Sequence, residues 1–241
     1  MKFALIGHPV AGSLSPTLFS AAYDGRYPYD LLDFEVFEDA WNAFLAQYTG
    51  INVTAPFKQD AYAHVDWLSE SARATGAVNL VVKADAGLRG YNTDVDGIVN
   101  SVQEAGLPVG DALVVGTGGA ARAAIVGAQK LGCQVTVAGR SAEKVKALAR
   151  TFGCRGASLG EISSLTPALV IYTIPGGAPV PPGLNFAESV VLEAEYKRPA
   201  LSALPCKAYI PGQRWLLWQA AAGYELFTGE KPDMQNLFNA I

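Results

Sequence analysis

The chain has 241 residues, half of them hydrophobic and 17% charged, with a net charge of −4 and an isoelectric point near 5.2. That composition is globular and long enough for one large domain or two modest ones, which excludes a disordered chain. The acidic balance and the scattered Lys and Arg residues offer no footprint for nucleic acid or a charged membrane surface.

The apolar run in the opening "MKFALIGHPV" is too short for a signal peptide, and no later run approaches the roughly 18 residues of a membrane span. Residues 3–6 predict a buried strand, broken by Gly7, Pro9 and Gly12. Ser15–Pro16 then predicts a helix start, with Ser15 as N-cap and the proline in the first turn. "YDLLDFEV" (29–36) reads as a second strand, and 38–48 as a helix with Trp41, Phe44, Leu45 and Tyr48 on one face. "GINVT" is a third strand, "LSESARATGA" a helix with a glycine stop, and "NLVVKADAGLRGYNTD" a hairpin turning at Asp85-Ala86-Gly87. "DGIVNSVQEAG" is a helix ending at Gly106, with Pro108 just beyond. Residues 111–141 then give a strand, a glycine turn, a long helix and a second strand, which is one βαβ unit. A helix over 142–152, apolar strands in "ALVIYTI" and "SVVLEAE" and a helical tail over 212–241 complete the chain. Alternating strands and helices predict an α/β fold with largely parallel sheets, divided into residues 1–95 and 96–211. The pattern leaves open which domain the tail joins. Cys133, Cys154 and Cys206 are odd in number, widely spaced and lack a CxxC, so reduced thiols of a cytoplasmic protein are expected rather than a disulfide framework or zinc site.

Gly116, Gly118 and Ala121 match G-x-G-x-x-G/A between a strand and a helix, the context that makes this spacing a dinucleotide site. Gly116 permits the tight turn, Gly118 lets the backbone approach a pyrophosphate, and Ala121 lets the helix pack closely. The phosphates meet free N–H groups at the helix N-terminus. An NAD site wants an acidic residue at the end of the following strand, to bind the ribose 2′-OH. Here the strand ends in Gly139 and is followed by Arg140, Ser141 and Lys144, which suit the 2′-phosphate of NADP.

Polar residues cluster after strands in the first half: Ser13 and Ser15, then Asn52, Thr54 and Lys58, with Asn79 and Asp94 at the ends of the hairpin. Ligands of open α/β sheets bind at the carboxyl ends of strands. Hydroxyls, amides and a Lys–Asp pair there suit a small, multiply hydroxylated ligand carrying a carboxylate. Singly, Ser15 is a helix cap, Asn79 a turn former and Lys58 a surface lysine; together, beside a dinucleotide turn, they form a candidate site.

The blocks "SLSP" (13–16), "NVTAPFK" (52–58), "GAVN" (76–79), "GYNTDVDG" (90–97), "GTGGAARA", "GRS" and Gln219–Ala220 occur in an order that resembles the shikimate/quinate dehydrogenase family. The resemblance implies NADPH-dependent, reversible reduction of 3-dehydroshikimate to shikimate, in aromatic amino acid (chorismate) biosynthesis. It implies an N-terminal α/β substrate domain completed by the C-terminal helices (1–95 and 212–241) and a Rossmann-type NADP-binding domain (96–211). Ser13 and Ser15 would take the substrate carboxylate, and Asn52, Thr54, Asn79 and Gln219 the ring hydroxyls. Tyr196 is a further candidate substrate contact, and Lys58 and Asp94 form the catalytic pair. Cofactor contacts would come from Gly116, Thr117, Gly118, Gly119, Ala120, Arg140, Ser141, Lys144 and Gly212. A cytoplasmic monomer or homodimer follows, with a small-molecule substrate and neither nucleic acid nor membrane as partner.

Against the family pattern, Gly12 stands where His or Gln precedes the first serine, and the "N-x-T-P-x-G-M" loop appears as Tyr172 to Ala178. Asp-x-x-Tyr appears as Glu193-x-x-Tyr196, and Trp215 replaces a methionine. His8 and His64 show no metal spacing, and Trp215 and Trp218 read as core residues. An NAD-dependent enzyme acting on quinate, or a non-catalytic ligand-binding homologue, is the alternative. Arg140 and Lys144 weigh against the first, and retention of both Lys58 and Asp94 against the second.

Overall fold

A computed structural model describes residues 1–106 and 110–241; Pro108, expected to follow the helix that ends near Gly106, lies outside the described residues. The chain divides into two compact units, Met1–Thr93 with Leu217–Ile241, and Asp94–Leu216.

The first unit is built on β1 (Phe3–Gly7), α1 (Ser15–Ala22), β2 (Tyr29–Asp33), α2 (Phe37–Gln47), β3 (Gly50–Val53), α3 (Lys58–Ala63), β4 (Trp67–Leu68), α4 (Glu70–Thr75), β5 (Leu80–Ala84) and β6 (Gly87–Tyr91). Its six-stranded sheet has the order β2-β1-β3-β5-β6-β4. This sheet is mixed: β1 runs parallel to β2 and β3, but β5 pairs antiparallel with both β3 and β6. The short α3 and the two-residue β4 were not expected from the sequence. Nor is Ser15 the cap of α1. Leu14 holds that position and the Ser13 hydroxyl accepts the Ser15 N–H, so Ser15 becomes the first helical residue. α2 buries Phe37, Ala40, Trp41 and Phe44, but Leu45 is 43% exposed and leaves the apolar stripe. Ser69 caps α4 by accepting the Ala72 N–H, and Gly76 ends it in the left-handed region.

The second unit runs α5 (Asp94–Glu104), β7 (Ala112–Val115), α6 (Gly119–Lys130), β8 (Val135–Ala138), α7 (Ala142–Phe152), β9 (Arg155–Ala157), β10 (Leu169–Tyr172), β11 (Val190–Glu193) and β12 (Ala208–Ile210). The sheet order is β12-β11-β10-β7-β8-β9, and every pairing in it is parallel. Ala112, Val114, Leu169 and Ile171 pack in one core layer and Leu113, Val115, Val170 and Tyr172 in another. Burial on both faces is why these strands read as unbroken apolar runs. The short edge strands β9 and β12 were not expected. α7 spans the predicted 142–152, between the Ser141 cap and Gly153.

α8 (Gly212–Thr228) and α9 (Met234–Asn239) end the chain. From Leu217 onward these residues complete the first unit. Phe227 stacks on Phe3 at 4.9 Å between ring centroids, and Tyr224 meets Phe19 edge-on at 4.7 Å. Burying a ring of this size contributes roughly 1.5–3 kcal/mol. On the opposite face of β1, Ala4 and Ile6 join Phe37, Trp41 and Phe44 in a separate core. Among the described residues no helix is long and apolar enough to cross a membrane.

Candidate functional site

In the second unit the chain runs outward from β7 through β8 to β9, then returns to the other side of β7 with β10. Counted within the unit, the strand order is 3-2-1-4-5-6, and a dinucleotide binds at the carboxyl ends where that order reverses, between β7 and β10. The glycine turn lies there. Gly116 follows β7 with φ +129°, and a Cβ on it would collide with the Thr173 hydroxyl just past β10. Both conformation and close approach therefore demand glycine. Gly118 occupies the N-cap of α6, and a Cβ built at Gly118 or Gly119 would meet nothing within 4 Å. No acidic residue lies in the first turn of α6. Its orphan N–H groups and positive dipole end are free of a competing carboxylate, which fits a pyrophosphate. Thr117 packs beside Gly139, Ala120 is partly buried, and Ala121 is fully buried.

At the end of β8, Arg140 and Lys144 are exposed, and among the described residues neither forms an ion pair. The Ser141 hydroxyl accepts the Lys144 N–H at 3.3 Å, so this serine caps α7. The end of β8 carries no acid, Glu143 lies a turn further on in α7, and the two cations Arg140 and Lys144 match the donor set that a 2′-phosphate requires.

Beyond β11 a different set of contacts appears. Glu193 is fully buried and accepts the N–H groups of Ala200 at 2.6 Å and Leu201 at 3.1 Å, and the Tyr209 hydroxyl at 2.7 Å. Burial, then this carboxylate, push the Tyr209 pKa far up. Gly212 is buried, and a Cβ there would meet the Ala194 carbonyl at 2.6 Å. The Tyr196 carbonyl accepts Gln213 Nε2 at 3.3 Å. Trp215 is buried in the core, while the Trp218 ring meets Phe238 at 5.1 Å. The Tyr172 hydroxyl is buried without a hydrogen-bond partner among the described residues.

In the first unit, the polar residues after β1, in and after β3, just before β5, after β6 and on α8 form linked pairs. The Ser13 hydroxyl donates to Ser15 Oγ at 3.1 Å. Asn52 Oδ1 accepts the Tyr29 hydroxyl at 2.7 Å, and its Nδ2 donates to the Asn79 carbonyl at 3.3 Å. Thr54 packs so close to Gly7 that a Cβ there would collide with its methyl group. Asn79 Nδ2 donates to Thr93 Oγ1 at 3.1 Å and to Gln219 Oε1 at 3.4 Å. Lys58 is half-buried at the first position of α3, and its carbonyl accepts the Val78 N–H at 2.9 Å. Ser13, Ser15, Asn52, Thr54, Lys58, Asn79 and Gln219 thus all belong to one unit, while Asp94 directly follows Thr93 and opens α5. Tyr29 and Thr93 join this network although sequence reasoning passed over both. Burial pushes the Tyr29 pKa far up, and the Ser15 hydroxyl draws it partly back. A phenol on a strand gives no sequence signal for such a role.

A family model for the shikimate dehydrogenase substrate binding domain matches residues 5–81. Shikimate dehydrogenase (NADP(+)) of a Thermus thermophilus strain is 32% identical over 262 residues, covering 100% of this chain and 97% of the relative. The same enzyme of Acidiphilium cryptum is 34% identical over 270 residues, covering 98% and 94%. The crystal structure of shikimate 5-dehydrogenase from Thermus thermophilus in complex with NADP(H) and shikimate superposes with a TM-score of 0.88 at 31% identity, covering 100% of this chain and 98% of that one. Quinate dehydrogenase from Corynebacterium glutamicum in complex with NAD gives 0.86 at 25% identity, over 100% and 98%. The fold is accordingly an N-terminal substrate domain with a Rossmann-like NADP-binding domain, and the chain belongs to the shikimate dehydrogenase family.

Proposed function

We propose that the protein is an NADP-dependent shikimate dehydrogenase, reducing 3-dehydroshikimate reversibly to shikimate in aromatic amino acid (chorismate) biosynthesis. The observation that carries this reading is the end-to-end likeness to shikimate dehydrogenases (NADP(+)), one solved with NADP(H) and shikimate. The lack of an acidic residue at the end of β8 and the Arg140–Lys144 pair support NADP over NAD.

The bound nicotinamide supplies the hydride. Gly116 to Ala120 cradle the pyrophosphate, and Arg140, Ser141 and Lys144 take the adenosine 2′-phosphate. Gly212 gives backbone room on the nicotinamide side. Ser13 and Ser15 hold the substrate carboxylate, and Asn52, Thr54, Asn79 and Gln219 orient the ring through its hydroxyls, with Tyr196 as a further contact. Lys58 stabilises the charge that develops on the ketone oxygen and, with Asp94, manages its proton. The substrate domain takes residues 1–95 and 212–241 and the cofactor domain 96–211. A monomer or homodimer accompanies this reading, and the three unpaired cysteines fit the reducing cytoplasm it assumes.

Absorbance at the reduced-nicotinamide band, with shikimate or quinate and either NADP or NAD, tests the reading. Fast turnover with shikimate and NADP is expected. Preference for quinate with NAD identifies a quinate dehydrogenase, and no turnover with any pair leaves a ligand-binding homologue.

A further inference from the structure

Within the second unit, one residue joins two loops at the carboxyl edge of the sheet. The Gly176 N–H donates to Glu195 Oε2 at 2.9 Å, and the Gly176 carbonyl accepts Arg198 Nη2 at 3.3 Å. Glu195 Oε1 takes the N–H groups of Lys197 at 2.7 Å and Arg198 at 3.2 Å. Burial pushes the Glu195 carboxyl up, but these backbone N–H groups and the Arg198 charge outweigh it and hold it below the usual carboxylate range. Glu195 is therefore an ionised acceptor at neutral pH, and its bonds are of the stronger, charge-assisted kind. A Cβ on Gly176 would meet the Arg198 carbonyl at 2.8 Å and Glu195 Oε2 at 2.9 Å, so the contact is tight. Farther along the same segment, the buried Glu193 carboxylate fixes Ala200 and Leu201. The 174–178 loop thus hangs on an anchored segment.

That loop follows β10, and Thr173, just before it, gives both its N–H and its hydroxyl to the Val115 carbonyl at 2.9 and 3.0 Å. It lies on the β10 side of the switch point, away from Arg140 and Lys144 on the β8 side. Since one half of a dinucleotide lies on each side of that point, the loop flanks the half carrying the reacting ring. We infer that Glu195 and Arg198 are positioning residues, which hold the 174–178 loop in the shape that seats the nicotinamide half of the cofactor. This rests on the proposed NADP site. It accounts for how a loop that departs from the family pattern at Ile174 and Ala178, as the end of β10 does at Tyr172, keeps a defined shape, by cross-links from a neighbouring segment.

The test compares wild type with Glu195→Ala, Arg198→Ala and Arg198→Lys. Calorimetry gives the affinities for NADP and for adenosine 2′,5′-bisphosphate, which carries only the adenosine half. Steady-state rates with NADPH and 4-deuterated NADPH give kcat and its isotope effect. Both alanine variants should bind the bisphosphate like wild type, yet bind NADP about tenfold more weakly or worse. Their kcat should fall and the isotope effect on kcat rise, because hydride transfer becomes slower than product release. Arg198→Lys, which keeps a donor for the Gly176 carbonyl, should recover part of the loss. Wild-type NADP affinity and kcat in Arg198→Ala, an exposed position whose change spares the core, overturns the inference. So does an equal loss for bisphosphate and NADP, which marks general damage to the unit. A wild-type protein that binds no NADP overturns the underlying reading instead, and is told apart by needing no variant.

Discussion

Asn79 Oδ1 accepts the backbone N–H of Thr93 at 2.8 Å, so the residue that opens the hairpin holds the residue that closes it. Asn79 is 2% exposed and Thr93 is equally buried. Asn79→Ala leaves a buried N–H unpaired and is expected to cost about 1–3 kcal/mol in urea unfolding. Asn79→Asp keeps the acceptor for Thr93 but loses the donor toward Gln219, so it should retain more stability than alanine. Equal losses for both would show that the Thr93 bond contributes little.

Lys58→Ala should lower kcat by about 10²–10⁴, the range for removing a positioned acid or base, with little change in KM. The backbone bond from the Val78 N–H to the Lys58 carbonyl is retained in this variant. Asp94→Asn should also be slow, and the double variant much less than additive if the two share one proton transfer. Steady-state kinetics check this, and normal kcat in Lys58→Ala would end the catalytic reading.

Arg140→Ala should weaken NADP by roughly 10- to 150-fold and leave NAD nearly unchanged, since only NADP carries the extra phosphate. Ser141→Ala removes the α7 cap as well and should cost about 0.5–2 kcal/mol of stability whatever cofactor is present. Isothermal titration with each nucleotide, alongside denaturant unfolding, separates the two effects.

Burial raises the Asp96 pKa, with a small contribution from Asp94, and Lys130 opposes it. A folded pKa above the unfolded one means that the folded state binds the proton more tightly. The associated stability is fully present below the unfolded value and is lost as pH rises through the folded value. At neutral pH the cost of the ionised side chain is therefore complete. Asp96→Asn should raise the thermal midpoint at neutral pH, and the gain should shrink toward zero as pH falls below about 4. A gain that grows in acid would reverse the assignment.

Punctuation made part of the fold legible in the sequence. α4 lies between Ser69 and Gly76, and α7 between Ser141 and Gly153, because a hydroxyl cap and a left-handed glycine are local signals. The βαβ unit around Gly116 was visible from another local signal, the glycine spacing between an apolar strand and a helix. β4, β9 and β12, with two or three residues each, are too short to show alternation and exist because a neighbouring strand offers an edge. α3 has six residues and one buried position, so it shows no stripe. The antiparallel placement of β5 and the reversal between β7 and β10 depend on which strands become neighbours, which periodicity does not encode. At the site, residue types and their order along the chain were readable. The Tyr29–Asn52 bond and the grip of Glu195 on Gly176 were not, because each joins residues from separate loops or strands.

The second unit is one continuous stretch, while the first is split around it. This has a consequence for biosynthesis on the ribosome. Phe3, Phe19 and Gly50 emerge early, yet the rings that cover them belong to Tyr224 and Phe227. At about 5–20 residues per second, the nascent chain waits on the order of ten seconds for those partners. In that interval the unit that began first is a sheet with one bare aromatic face, and the unit inserted into it receives its last residue, Leu216, before the covering rings are made. The segment translated first is the last to close, and for those seconds it is the part of the chain most open to chaperones and to aggregation.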